Sequence, residues 1–256
     1  MIEHRQHEVT PKDMDTLPPV KGLFELHVFL TPLNPTEAEV KVYNDVVEEI
    51  NRDLNIKSAL TMRPCYLALC YTEGDVKVLQ TSRYYEARSL KEAFIEMRKE
   101  ADRLQEKFDT VWNAGKLKRR INVTREKIEL MYSAKGIPQD EKEMASWPGR
   151  YHEFHIRVRH VEDTLVMTPE LETKLRAISA KYTALCHRPI PLSYNMHKQQ
   201  QRYLNVRFEC GAIKAKKQAM ALVALINADP VLKVEKVLQE FVIYDTYRLL
   251  DKGWID

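Results

Sequence analysis

The chain has 256 residues, 44% of them hydrophobic and 30% charged, with a formal net charge of +3 and a pI near 8.5. That length holds one large domain or two small ones, and the balance of apolar and charged residues is that of an ordinary globular protein. No window approaches the ~18 to 20 apolar residues of a membrane helix, and the N-terminus lacks the apolar core of a secretory signal. The charge also falls far short of the basic stripe of a dedicated nucleic-acid binder, so a cytoplasmic protein without a membrane partner is expected.

Residues 1–20 are polar, carry Pro11, Pro18 and Pro19, and read as an N-terminal arm. A strand follows at about 23–31. Successive strand side chains point to opposite faces, which puts Phe24, Leu26, Val28 and Leu30 on one face and Glu25 and His27 on the other. Asn34-Pro35-Thr36-Glu37 reads as a capped helix start. Val40, Tyr43, Val47, Ile50 and Leu54 then recur at the steps of an amphipathic helix. Arg63-Pro64 opens a second strand, Cys65 to Tyr71, and Glu73-Gly74-Asp75 signals a hairpin into a third, Val76 to about Ala87. Ser89-Leu90-Lys91-Glu92 is a capping box for a helix with Leu90, Phe94, Met97, Ala101, Leu104 and Phe108 on one stripe. Gly115 ends that helix, and a fourth strand lies within Leu117 to Tyr132. This β-α-β-β-α-β order, over residues 21–132, is a ferredoxin-like unit.

Residues 133–150 are polar, punctuated by Pro and Gly, and read as a linker. The same order then returns over 151–256, a second repeat ending in a tail. A strand at 151–160 sets Phe154, Ile156 and Val158 against Glu153, His155 and Arg157. Thr168-Pro169-Glu170 starts a helix with Leu171, Leu175, Ile178 and Tyr182 on its stripe. Arg188-Pro189 matches Arg63-Pro64, Arg202-Tyr203 matches Arg83-Tyr84, Ala215 to Ile226 is a helix, and Val237 to Asp245 is the last strand. The expected fold class is α+β, an internal duplication of two ferredoxin-like units.

In such a unit the first and third strands are central, helices cover one face and the other face is open. The repeated Glu-apolar-His motif nominates His27 and His155 as an acid/base pair near neutral pH, oriented by Glu25 and Glu153. With Leu204, Val206 and Phe208 turned to the helices, Tyr203, Asn205 and Arg207 occupy the open face. Carried through the Arg-Tyr match, the first copy presents Tyr84, Glu86 and Arg88. Lys198 belongs to the polar run Ser193 to Lys198, read as a hairpin loop able to reach over the sheet. Arginine and lysine suit phosphate or carboxylate. The reading is therefore a small anionic ligand, nucleotide-like or phosphorylated, with hydrolysis or group transfer as the reaction it would serve.

Charged groups at the centre of a sheet need partners, so a self-satisfied polar layer competes with that reading. The rival function is a non-catalytic interaction protein whose open sheets bury against a partner. RNA is less favoured, because the third strand lacks the aromatic signature of RNA-binding sheets.

Neither a cofactor nor a metal is expected. Glu and His two residues apart point in parallel, which makes joint coordination awkward. The four cysteines, Cys65, Cys70, Cys186 and Cys210, form no Cys-x-x-Cys pair and read as buried thiols, although Cys186-His187 at a strand entrance offers metal-type donors. The chain carries no P-loop, no Gly-x-Gly-x-x-Gly, no Gly-x-Ser-x-Gly and no His-Glu-x-x-His. The two-lobed layout with a histidine on a strand of each lobe resembles the 2H phosphoesterases. That family repeats His-apolar-Ser/Thr, whereas His27-Val28-Phe29 and His155-Ile156-Arg157 lack the hydroxyl both times, so the resemblance is one of architecture and assigns no family.

Overall fold

The computed structural model describes residues 13–54, 61–71, 74–162, 167–186, 190, 192–197 and 200–246. Among them are eight strands and five helices in a mixed α+β arrangement, preceded by a short 3-10 turn at Asp13–Thr16. Two compact units are distinguished, and each contains the order β-α-β-β-α-β.

The first unit takes Met1–Tyr66, Lys77–Ile137 and Phe241–Tyr247. Its centre is β1 (Gly22–Thr31), antiparallel to β3 (Gly74–Ala87) on one side and to β4 (Asn122–Met131) on the other. The strand order is β2-β3-β1-β4-β8, in which β2 (Arg63–Tyr71) and β8 (Leu232–Asp245) each contribute one end. Phe24, Leu26, Val28 and Leu30 are buried, as the alternation predicts. The helices α1 (Glu37–Asp53) and α2 (Leu90–Asn113) pack their apolar stripes here, with Tyr43, Val47, Ile50, Leu104 and Phe108 joining Val28 and Leu30 in one core.

Thr36, rather than Asn34, caps α1. Its side chain accepts from the Glu39 N–H while Glu39 returns to the Thr36 N–H, a complete capping box. Asn34 lies outside the helix at φ 50°. Ser89 caps α2 by accepting from the Glu92 N–H, but Glu92 reaches back to the N–H of Arg88 instead of Ser89.

The second unit takes Leu67–Val76, Pro138–Glu240 and Arg248–Asp256. Here β5 (Tyr151–His160) pairs antiparallel with β7 (Gln201–Phe208), β7 with β6 (Leu192–Asn195), and β6 with Leu67–Cys70 of β2, in the order β2-β6-β7-β5-β8. Phe154, Ile156, Val158, Leu204, Val206 and Phe208 form its core with Leu175 of α4 (Pro169–Cys186) and Leu222 and Ile226 of α5 (Ala212–Asn227). Thr168 precedes the Pro169 that begins α4, a position where proline's missing N–H costs no helical bond.

The stretch read as a linker contains the short helix α3 (Glu141–Met144) and buries Ile137, Met144 and Trp147. Ser193–Asn195 lie in β6 instead of a hairpin loop. Arg188-Pro189, His187 and Lys198 lie outside the described residues, as does the side chain of Cys186. No helix among the described residues is long and apolar enough to cross a membrane.

Candidate functional site

In the first unit the second face of β1 is a dense polar layer. Pairing sets His27 opposite Ser82 and Lys127, and Glu25 opposite Tyr84 and Glu129. All of these except Tyr84 are buried. His27 Nε2 lies 2.7 Å from Glu129 Oε2 and 3.9 Å from Glu25 Oε1. Its Nδ1 lies 3.3 Å from the Thr81 carbonyl oxygen. Burial pulls the imidazole pKa down, but the field and hydrogen bond of Glu129, with Glu25 behind it, hold it above the ordinary value. Lys127 Nζ takes the other oxygen of Glu129 at 2.6 Å. Glu25 Oε1 accepts from the Ser82 hydroxyl and from Arg63 Nη2 at 3.3 Å. Arg63 also donates to Ser82 Oγ at 2.9 Å and lies over the Tyr84 ring.

Arg88 is not part of this layer. Placing it there needs Glu86 opposite His27, whereas the β1–β3 register puts Ser82 in that position and Glu86 opposite Leu23. The Arg-Tyr match therefore misaligns the two third strands by four residues, and Arg88 falls beyond the end of β3, exposed. Arg63 holds the position that sequence reasoning assigned to it.

In the second unit His155 faces Asn205, and Glu153 faces Arg207. His155 Nδ1 lies 2.6 Å from Asn205 Oδ1, and Asn205 Nδ2 donates to Ser193 Oγ at 3.0 Å. His155 Nε2 lies 3.0 Å from Glu240 Oε2. Arg207 donates to Glu153 at 2.8 Å with its guanidinium over the Tyr151 ring. Tyr203 is half-buried opposite Arg157. Asn205, Arg207, Glu153 and His155 are thus gathered as expected, but each is engaged with another protein group.

Glu129 and Glu240, the carboxylates that meet the two imidazoles, were missed, as were Arg63, Ser82, Lys127 and Ser193. The readable signal was a lone glutamate flanked by apolar core residues on a last strand, between Ile128 and Leu130 in one case and before Phe241 in the other. Glu25, His27 and Glu129 each turn a donor atom toward the others, all within 4.8 Å. The Glu-x-His pair does point in parallel, and the third donor comes from the adjacent strand.

No protein-family model and no curated protein matches the chain. Solved structures similar to it include a dye-decolorizing protein from V. cholerae, at 12% identity and TM-score 0.25 over 90% of this chain and 96% of that one. Another is described as a heme-binding protein from Thermus thermophilus, at 12% identity and TM-score 0.29 over 93% and 98%. A third is a mutant chlorite dismutase from Candidatus Nitrospira defluvii, at 10% identity and TM-score 0.27 over 91% and 95%. Likeness at these values carries no argument about the chemistry of this chain.

The expectation of a small anion held for phosphoryl or acyl transfer is overturned. The arginines available on the two layers already neutralise buried carboxylates, Arg63 on Glu25 and Arg207 on Glu153, and Arg88 is elsewhere. The rival expectation, an interface on open sheets, falls with it, because Glu25, His27, Glu153, Asn205 and Arg207 are buried within the chain.

Proposed function

We propose that Glu25, His27 and Glu129 bind a divalent transition-metal ion. The observation that carries this reading is the convergence of one imidazole nitrogen and two carboxylate groups within 4.8 Å on two hydrogen-bonded strands. The Thr81 carbonyl supports it. His27 Nδ1 lies 3.3 Å from that carbonyl and 3.4 Å from the Gln80 amide nitrogen; donation to the carbonyl would leave Nε2 as the ligand, a common arrangement around metal-bound histidine. Three protein donors are the number found in catalytic zinc sites, which keep a further position for water or substrate; a bound ion would supply Lewis acidity there.

We further infer that the two units are copies. Each sets its Glu-x-His strand between a third strand bearing a short polar residue, Ser82 or Asn205, and a last strand bearing a buried glutamate. In the second copy the imidazole meets Glu240, and Glu153 is paired with Arg207. We assign the protein to the cytoplasm, a reading supported by the reduced thiols of Cys65, Cys70 and Cys210.

Calorimetric titration of chelator-treated protein with Zn2+ and Mn2+ tests the metal reading. One site per chain is expected, weakened about tenfold or more by Glu129→Gln or His27→Gln, the loss of one strong contact. No binding to the wild type, or binding unchanged in both variants, overturns it. A hemin titration belongs in the same series. A Soret band that needs His155 but not Glu129 would replace the metal with heme, the group named for the Thermus neighbour.

A further inference from the structure

We infer that Lys127 is the specificity-determining residue of this site, restricting it to small transition ions of low coordination number and rejecting Ca2+. The inference rests on the metal reading above. Glu129 divides its oxygens: Oε2 faces His27 Nε2 at 2.7 Å, and Oε1 holds Lys127 Nζ at 2.6 Å. An ion that takes the place of the proton between Nε2 and Oε2 therefore meets one oxygen of Glu129, and bidentate coordination requires displacing a buried ammonium. Glu25 is similarly encumbered, since Oε1 accepts from both Ser82 and Arg63.

The donor set is then His27 Nε2, Glu129 Oε2 and Glu25, whose Oε1, 3.9 Å from Nε2, is the oxygen that Ser82 and Arg63 already engage. Calcium takes six to eight oxygens, commonly with a bidentate carboxylate, and three donors including a nitrogen fall short of that. Zinc is satisfied by three protein ligands and a water, in a tetrahedral shell, and imidazole suits zinc, iron and copper. Lys127 also returns one positive charge to a site of two carboxylates, which weakens all divalent binding and penalises most the ions that depend on charge alone.

The test measures Zn2+ and Ca2+ affinities for wild type, Lys127→Met and Lys127→Arg. Methionine is one heavy atom shorter and removes the charge, and with it the ion pair on Glu129 Oε1; the expected result is a gain of about tenfold or more for Ca2+ and a narrower Zn2+ to Ca2+ ratio. Arginine keeps the charge and should keep the ratio. A Met variant with the wild-type ratio overturns the inference, while wild-type protein that binds neither ion overturns the metal reading beneath it. Should Lys127→Met fail to fold, the wild type loaded with Co2+ decides the matter. Strong visible d–d absorption, the mark of a four-coordinate ion, supports the restriction, and the weak absorption of a six-coordinate ion sinks it.

Discussion

At the scale of single residues, two buried titratable groups set opposite pH slopes. His152 is fully buried, and desolvation presses its pKa down to about 4, with only a partial offset from a hydrogen bond to the Pro138 backbone. Its unfolded value is the ordinary ~6.5. The folded imidazole therefore resists the proton that the unfolded chain accepts. The stability it confers is complete above about pH 6.5 and is lost as pH falls toward 4, about 3 kcal/mol in all. Glu100 behaves in the other sense. Burial lifts its carboxyl to about 7 in spite of Arg83 and the Thr81 hydroxyl. Its protonated form is favoured by folding, so the stability tied to it is present below the unfolded carboxylate range and disappears as pH rises through about 7. Urea melts from pH 4 to 8 are expected to show both limbs. His152→Gln should flatten the acid limb and leave the alkaline one. An unchanged acid limb in that variant would place its origin elsewhere.

At the scale of elements, local chemistry sets where helices begin, and packing then fixes what that start tolerates. Gly211 precedes α5 without a side-chain cap. A Cβ at that position would lie 2.4 Å from the Asp140 Cα and 2.6 Å from the Gln139 carbonyl oxygen. The N–H groups of Ala212 and Ile213 donate to the carbonyls of Pro138 and Gln139, which anchors the start of α5 to that stretch. Gly211→Ala is expected to cost about 1 to 3 kcal/mol, the range for overpacking a site that cannot yield. Thermal melts check this, and a cost near zero would mean that the 138–140 segment moves aside freely. The contrast is α1, whose start is set locally by the Thr36–Glu39 capping box, two positions beyond the Asn34-Pro35 start that the sequence suggested.

At the scale of the whole molecule, buried charges are held in ion pairs. Glu153 and Arg207, both buried, form one such pair. Glu153→Ala leaves a buried guanidinium without its carboxylate and is expected to cost about 3 to 5 kcal/mol, whereas Glu153→Met with Arg207→Met should recover most of that loss. Urea denaturation of the single and double variants decides it. If Glu153→Ala costs less than about 1 kcal/mol, Arg207 reaches water or another acceptor once its partner is gone. A charge layer of this kind sets a high cost on placing any additional charged group there, which weighs against an anion as its occupant.

Much of this was legible in the chain itself. Strand phase at Phe24 to Leu30 and at Phe154 to Val158, the apolar stripes of α1 and α2, and the starts at Ser89 and Pro169 follow from alternation, periodicity and capping, which act over two to four residues. The gathering of Glu153, His155, Asn205 and Arg207 followed from strand parity once the pairing of β5 with β7 was assumed. The tertiary structure alone decided that His27 meets Glu129 rather than only Glu25, that Arg63 and not Arg88 guards that carboxylate, and that the polar faces are buried. Those outcomes depend on inter-strand register and on which strands become neighbours. Register is set by packing between segments a hundred residues apart, and a slip of a few positions changes every partner while leaving the local pattern intact.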